Sequence, residues 1–288
     1  MKIIDGKNIS NKIIENIQKK VELKLKSGFR ATKLAIILIG ENYASETYVS
    51  AKIRTCEKVG ISTQLFRFDS NVKSSEVTGK IEELNYHPDY DGILVQLPLP
   101  SHLHQREILD IINPLKDVDG LTSLNTGFLA LNRPKFIPAT PLGIQKLLIE
   151  SKVGIEGKHI VICGRSNIVG RPLSNLFSND QVHSNATVTL CHSKTNNLIN
   201  HTKNADILIV AVGNPEFINE SMVKEGSIVI DVGINRVKDF SNKKGYRITG
   251  DVNFDSVINK VSMITPVPGG VGPMTIAMLL ENVLKSSS

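Results

Sequence analysis

The chain has 288 residues, of which 41% are apolar and 22% charged, an ordinary balance for a globular protein with room for two domains. No apolar run is long enough to span a bilayer, and the start, MKIIDGKNIS, soon turns polar, so we expect neither a membrane span nor a signal peptide. The formal charge of +6 is compatible with the binding of anionic ligands, and equally with a basic surface that has no specific partner. Its basic clusters, Lys19–Lys26 and Lys243–Arg247, contain a single aromatic residue, which disfavours nucleic acid as a partner.

The chain has three cysteines, Cys56, Cys163 and Cys191. They are widely spaced and form no CxxC pair, so we expect neither disulfides nor a metal site. This pattern favours a reducing compartment, and we expect a cytoplasmic protein.

Apolar periodicity predicts alternating helices and strands in the first half of the chain. In chain order these are a helix over Asn11–Lys26, a strand over Leu34–Ile39, a helix from Ser45 to Gly60, a strand over Gln64–Phe68, a helix over Ser74–Asn85 and a strand over Gly92–Leu97. Strands that are apolar on both faces and alternate with helices indicate a parallel α/β sheet. The Gly, Pro and Asn content of Pro114–Pro141 predicts a loop-rich connector.

A second α/β unit follows the connector. Thr140 is expected to cap a helix over Leu142–Ser151, with Pro141 in its first turn. The predicted strands are His159–Cys163, Thr187–Cys191, Ile207–Val212, Ile228–Val232 and Val261–Thr265, and the last helix is Ile276–Lys285. The fold class is therefore α/β, with two α/β domains.

Tyr48 and Lys52 are four residues apart on the predicted Ser45 helix, so they lie on nearly the same side of it. The apolar residues of the adjacent stripe place this pair at the rim of a core. A phenol ring beside an amine suits a flat, polar substrate, whereas on spacing alone each residue could equally serve packing or solvation.

Gly164–Gly170, GRSNIVG, follows one predicted strand and leads into a helix over RPLSNLF. This is the context of a dinucleotide fingerprint, in which a glycine turn and a helix N-terminus hold a pyrophosphate. The match is loose, because Ser166 stands where the second glycine is expected and Gly170 is one residue late. An ordinary βα turn fits the spacing equally well.

The end of the second strand of this unit carries no carboxylate to bond the ribose hydroxyls of NAD. It carries Ser193 and Lys194 instead, and Arg165 follows the first glycine of the loop. Hydroxyl and cationic groups suit a 2′-phosphate, so NADP is favoured as the cofactor over NAD. A polar strand end of no function is the plain alternative.

These motifs together resemble the bifunctional methylenetetrahydrofolate dehydrogenase/cyclohydrolase family. The resemblance runs from Tyr48 to Thr275, in the order expected of the family, through YVSAKIRTCEKVGI, DGILVQLPLP, KDVDGLTSLNTG, PATPLGI, GRSNIVGRP, TVTLCHSKT, ADILIVAVG and ITPVPGGVGPMT. It implies oxidation of 5,10-methylenetetrahydrofolate with NADP, followed by hydrolysis of the methenyl product to 10-formyltetrahydrofolate.

The resemblance also implies roles for individual residues. Lys52 matches the catalytic lysine, Tyr48 the ring that stacks on folate, and Gln96 the amide that orients the lysine. Asp119 matches the aspartate that grips the pterin. Its neighbour Asp117 is expected to be structural.

Further residues are implied as ligand contacts. Those for folate are Val95, Leu97, Pro268, Gly269, Gly270 and Pro273. Gly164, Arg165, Ser166, Gly170, Ser193 and Ile234 are implied for NADP. No metal site is expected.

The resemblance further implies the domain plan. Residues 1–140, completed by the C-terminal helix 273–288, form a folate and catalytic domain, and residues 141–272 form a Rossmann-type NADP domain with a cleft between the two. A homodimer is implied as well. Tyr43 departs from the proline usual in the family, which bears on substrate affinity.

Three other classes fit parts of the sequence. Short-chain dehydrogenases also use a Tyr-x-x-x-Lys pair, but their nucleotide loop precedes that pair, the reverse of the order here. A dehydrogenase for shikimate-like acids leaves Gln96, Asp119 and the PGGVGP loop unexplained. A non-catalytic dinucleotide-sensing module has no use for Tyr48 and Lys52. Within the family, members that use NAD with phosphate and a metal ion carry an arginine at the position of Ser193.

Overall fold

A computed structural model describes residues 1–241 and 245–287. Lys243 and Lys244 of the second basic cluster lie outside these residues, as do Asn242 and Ser288.

The chain alternates helices and strands. The helices are α1 (Gly6–Lys26), α2 (Tyr43–Val59), α3 (Ser74–Tyr86), α4 (Gln105–Asp110), α5 (Ser123–Ala130), α6 (Ala139–Glu150), α7 (Gly170–Ser178), α8 (Leu198–Thr202), α9 (Phe254–Val257) and α10 (Val271–Ser286). The strands are β1 (Lys2–Ile3), β2 (Lys33–Ile39), β3 (Ser62–Phe68), β4 (Gly92–Val95), β5 (His159–Cys163), β6 (Thr187–Cys191), β7 (Ile207–Val210), β8 (Ile228–Asp231), β9 (Asn235–Lys238), β10 (Tyr246–Thr249) and β11 (Met263–Ile264). None of the helices in the described part of the chain is long and apolar enough to cross a bilayer.

The chain divides into two compact units. The six-stranded unit comprises Met1–Ser10 and Thr140–Thr275, and the three-stranded unit comprises Asn11–Ala139 and Ile276–Ser288. The first ten residues, which the sequence analysis assigned to the catalytic domain, join the six-stranded unit because β1 pairs with β11.

The three-stranded unit is built on a parallel sheet with the strand order β3-β2-β4. The central strand, KLAIILI, is buried on both faces, as its continuous apolar sequence predicts. On one face Ala35, Ile37 and Ile39 pack into a core that also contains Val77 and Ile81 of α3. The sheet thereby fixes the end of β4, where the chain reaches Gln96.

The six-stranded unit is built on a parallel sheet with the order β1-β11-β8-β7-β5-β6. The strand order reverses at β5, because β6 follows it on one side and β7 then pairs on its other side. Such a reversal opens a crevice at the carboxyl ends of the strands, where doubly wound sheets bind their ligands. The predicted α/β fold class is confirmed.

Most of the predicted elements are found close to their expected bounds, and β5 and β6 have the predicted bounds. One prediction was incomplete and another was wrong. The connector Pro114–Pro141 contains helix α5, whose Thr122 cap accepts a hydrogen bond from the N–H of Asn125. Thr140 lies inside α6 rather than capping it, and its hydroxyl bonds that of Thr275 at 3.0 Å. Composition alone did not indicate helix α5 or the true start of helix α6, because α5 is short and α6 begins before its proline.

Other elements were missed or began earlier than expected. Helix α1 begins at Gly6, and α10 begins at Val271, so that Pro273 occupies its first turn, where a missing N–H costs little. The antiparallel pair β9 and β10, and the two-residue strand β1, lack the apolar runs from which the other strands were read.

Candidate active site

Helix α2 presents Tyr48 and Lys52 on one side, as their spacing predicts. The helix is held at both ends, by Asn42, whose side chain accepts from the N–H of Ser45 at 3.0 Å, and by Gly60, with a φ of 82°. Lys52 is only 6% exposed, and Tyr48 is half-buried. The solvated surface lysine that spacing alone allowed is therefore not what the structure contains.

Gln96 holds the amine of Lys52. Lys52 Nζ donates to Gln96 Oε1 at 3.0 Å, and Gln96 Nε2 donates to the carbonyl of Leu97 at 2.6 Å. Because an ammonium can only donate, the amide must turn its oxygen towards Lys52, and the Leu97 carbonyl fixes that orientation. The backbone N–H of Gln96 donates to Ile37 O at 2.9 Å, which anchors the residue to the central strand.

Burial controls the protonation of this group of side chains. It lowers the pKa of Lys52, and the negative charge of Asp119 opposes that effect in part. It raises the pKa of the Tyr48 phenol, and it raises the pKa of the Cys56 thiol, one turn after Lys52, to about 12. Burial thus moves the pKa of Lys52 towards neutrality, as proton exchange near pH 7 requires.

The loop that carries Asp119 is fixed by its neighbour Asp117. The buried Asp117 carboxylate accepts from the N–H groups of Leu121 (3.1 Å) and Thr122 (2.9 Å) and from Asn125 Nδ2 (2.8 Å). The structural role expected of Asp117 is therefore confirmed.

Asp119 itself is half-buried, and burial raises its pKa, while the charge of Lys52 opposes the rise. The lysine and this carboxylate thus influence each other electrostatically. From α10, the buried amide of Asn282 donates to the carbonyls of Val118 (2.9 Å) and Ile137 (3.0 Å). Asn282 therefore fixes the backbone next to Asp119.

Sequence reasoning missed Asn282 and Ser45. Asn282 is a lone amide in the apolar stretch MLLENVL, and that contrast was the available signal. Ser45 lies three residues before Tyr48 and seven before Lys52, hence on the same helix side. Its hydroxyl is buried, and no residue in the described part of the chain hydrogen-bonds it.

In the six-stranded unit, Gly164 and Gly170 are required by close backbone contact. Gly164 has a φ of 120°, and a Cβ there would lie 2.1 Å from Ala211 O. A Cβ on Gly170 would lie 1.8 Å from Gly164 O. The first glycine makes the tight turn and Gly170 lets α7 pack against it, which are the glycine roles of a dinucleotide loop. The late position of Gly170 is therefore compatible with that function.

A cavity of about 360 Å³ opens at the carboxyl ends of β5, β6 and β7, the point where the strand order reverses. Its lining is Cys163, Gly164, Arg165, Cys191, His192, Ser193, Leu198, Ala211, Val212, Asn214 and Phe217. Of the expected NADP contacts, the structure thus brings together Gly164, Arg165 and Ser193. Arg165 and Ser193 are exposed, and among the residues that the structure describes no carboxylate is part of the lining.

The remaining expected contacts lie elsewhere. Ser166 accepts from the N–H of Val169 at 3.2 Å and shapes the glycine loop. Ile234 is 50% exposed and is not part of the cavity lining. Its role stays a prediction.

Pro268, Gly269, Gly270 and Pro273 belong to the six-stranded unit, whereas Val95 and Leu97 flank Gln96 in the other. The Gly269 carbonyl accepts from the N–H of Lys7 at 2.9 Å, which gives that loop a structural function. The part these residues play in folate binding stays a prediction.

The glycine loop and the cavity at the strand reversal are typical of the dinucleotide-binding α/β proteins. Comparisons with known proteins narrow this class. A model of the tetrahydrofolate dehydrogenase/cyclohydrolase catalytic domain matches residues 4–119, and a model of the NAD(P)-binding domain of the same family matches residues 138–288. The chain belongs to the tetrahydrofolate dehydrogenase/cyclohydrolase family, which confirms the resemblance.

Individual relatives agree with this assignment. The bifunctional protein FolD of Flavobacterium johnsoniae is 51% identical, over 99% of this chain and 96% of the relative. The crystal structure of the bifunctional enzyme FolD from Campylobacter jejuni matches with a TM-score of 0.93 and 46% identity, covering 100% of this chain and 98% of that one. The Trypanosoma brucei dehydrogenase-cyclohydrolase (FolD), complexed with NADP cofactor and inhibitor, matches with a TM-score of 0.93 and 35% identity, covering 99% and 96%.

Proposed function

We propose that this protein oxidises 5,10-methylenetetrahydrofolate to 5,10-methenyltetrahydrofolate with NADP and then hydrolyses the product to 10-formyltetrahydrofolate. The observation that carries the proposal is the contact of Lys52 Nζ with Gln96 Oε1 at 3.0 Å, in a unit that also holds Asp119. Family membership supports both activities.

Folate binding is assigned to Tyr48 and Asp119. The half-buried ring of Tyr48 offers a flat apolar face to the pterin. The Asp119 carboxylate accepts two N–H groups in a fork, which the 2-amino-4-oxo ring presents. The hydrogen bonds of Asp117 and Asn282 hold the backbone near Asp119. Orientation of the pterin by Tyr48 and Asp119 carries the oxidation step, which requires no separate acid or base.

NADP is assigned to the cavity at the strand reversal. Gly164 and Gly170 allow the backbone to approach a pyrophosphate, and Ser193 and Arg165 suit a 2′-phosphate. Bound there, NADP supplies the acceptor for the hydride of the methylene group.

Lys52 is assigned to the hydrolysis. Water adds to the methenyl carbon and loses a proton, which leaves a hydroxyl on that carbon. A ring nitrogen then gains a proton as its bond to the carbon breaks, and the hydroxyl releases its own proton to solvent and becomes the formyl carbonyl. An amine whose pKa burial has lowered can take the first proton and return one to the nitrogen. Gln96 keeps the amine in one direction during both transfers.

The test is to mix the purified protein with methylenetetrahydrofolate and NADP and to record the absorbance of reduced nicotinamide. We expect turnover with NADP and much slower turnover with NAD, followed by appearance of 10-formyltetrahydrofolate. Absence of reduced nicotinamide would refute the proposed oxidation and favour a binding module, and a clear preference for NAD would refute the cofactor assignment.

Two further points belong to this proposal. We place the protein in the cytoplasm, supported by three buried cysteines that are not in disulfides. We also assign it a homodimeric state, which the family resemblance implies. Light scattering on a sizing column measures this state directly, and a monomer across micromolar concentrations would contradict it.

A further inference from the structure

The Asp251 carboxylate is fully buried in the six-stranded unit, yet the assigned functions do not use it. Its Oδ2 accepts from the N–H groups of Val212 at 2.7 Å and Gly213 at 2.9 Å, and its Oδ1 accepts from Asn235 Nδ2 at 2.8 Å. One side chain thus joins the segment after β7 to the first residue of β9.

A second buried carboxylate fixes Asp251 in turn. Asp231, at the end of β8, accepts from the N–H groups of Asp251 and Gly233 through Oδ1 and from that of Val252 through Oδ2, each at 2.9 Å. The backbone at Asp251 therefore has one position relative to the sheet, and the direction of its carboxylate follows from that position.

Glycines stand where the two carboxylates approach the backbone. A Cβ on Gly233 would lie 2.3 Å from Asp251 Cγ, and a Cβ on Gly250 would lie 1.8 Å from Asp231 Oδ2. Any side chain at either position would push a carboxylate out of place. The sequence thus leaves room for this arrangement at two separate positions.

The segment held by Asp251 is one wall of the NADP cavity. Val212 and Asn214 line the cavity, and Gly213 between them has a φ of 68°. Asp251 is not part of the lining, so it acts on the cavity through the backbone it holds.

We propose that Asp251 is a positioning residue for the dehydrogenase reaction, one that fixes the wall formed by Val212, Gly213 and Asn214 for NADP. This inference rests on the proposed function. Hydrolysis of the methenyl compound requires no NADP, and its proposed proton-transfer residues, Lys52 and Gln96, belong to the other unit. A positioning role therefore affects the two activities differently, whereas a role in general stability affects both.

The experiment compares Asp251→Asn with wild-type protein and with Asp255→Asn, a matched change at an exposed aspartate of α9. An asparagine at position 251 has one side-chain oxygen in place of two. Its NH2 group therefore faces either the N–H groups of Val212 and Gly213 or the side-chain amide of Asn235, and two donors cannot form a hydrogen bond. We expect the KM for NADP to rise at least tenfold, while kcat and KM for hydrolysis of added methenyltetrahydrofolate change by less than twofold. The Asp255→Asn variant should match wild type in all of these constants.

An unchanged KM for NADP, or a parallel fall of both activities, would overturn the proposal. Should Asp251→Asn not yield folded protein, the Asn235→Ala variant provides the test. It removes one hydrogen-bond donor to the Asp251 carboxylate and leaves the contacts of that carboxylate with Val212 and Gly213. We expect a smaller rise in KM for NADP, about threefold, and no rise would overturn the proposal. The Kd for NADP from calorimetry keeps the test separate from the proposed function, since it applies even if wild-type protein forms no reduced nicotinamide.

Discussion

Replacing Lys52 by methionine tests the assignment of the hydrolysis most sharply. Methionine has about the length of lysine and fills the buried space without an amine. Its thioether cannot donate to Gln96 Oε1, which in the wild-type protein accepts from Lys52 Nζ at 3.0 Å. The substitution therefore removes the proton-exchanging group and leaves the packing of α2 nearly intact.

The expected magnitudes follow from this geometry. Loss of a general acid and base lowers the rate by about 10²–10⁴. The Gln96 oxygen left without a donor costs about 1–3 kcal/mol of folding free energy, offset in part because no ammonium has to be desolvated. We therefore expect hydrolysis to fall by at least about a hundredfold, with a fold that still binds NADP.

The assay follows the disappearance of methenyltetrahydrofolate by absorbance, with NADP binding measured in parallel by calorimetry. The matched control is Lys58→Met, the same change at an exposed position of the same helix, for which we expect wild-type rates. Hydrolysis by Lys52→Met within threefold of wild type would refute the reasoning, as would loss of NADP binding with unchanged hydrolysis.

Two further predictions concern pH. Gln96→Glu places a carboxylate against the amine of Lys52 and raises its pKa, so the pH profile of hydrolysis should move about one pH unit or more to the alkaline side; an unmoved profile would show that Lys52 does not set it. Burial raises the pKa of Asp231 from 3.8 to about 6, so its ionisation disfavours the folded state. The stability of wild type relative to Asp231→Asn should therefore be highest below pH 4 and should fall as the pH rises, by about 3 kcal/mol in total once the pH is above about 7. Urea unfolding of both proteins across this range measures the difference, and parallel curves would contradict it.

Much of the fold was predictable because strands β2, β4, β5, β7 and β8 are buried on both faces. Runs such as HIVIC and the core of β2 are apolar throughout, and local sequence suffices to identify them. Strands β9 and β10 were not predictable in this way. Their stability comes from pairing with each other, and their sequences, NRVK and YRIT, carry no such run.

The residues of the candidate site also differ in how far local sequence predicted them. Lys52, Tyr48, Gln96 and Asp119 were predicted as site residues because their motifs resemble those of a known family. The supports of these residues were not, since Asn282 reaches the loop of Asp119 from more than a hundred residues further along the chain. Asp251 was missed for the same reason, because its partners Val212 and Gly213 become neighbours only through the sheet.

The central claim is that Lys52, Gln96 and Asp119 form the folate site. A crystal structure of the protein with NADP and a folate analogue tests this claim most directly. We predict that the Asp119 carboxylate accepts hydrogen bonds from the pterin, that the Tyr48 ring stacks on it, and that Lys52 Nζ lies within hydrogen-bond reach of the analogue. An analogue bound without contact to Lys52 or Asp119 would contradict the assignment.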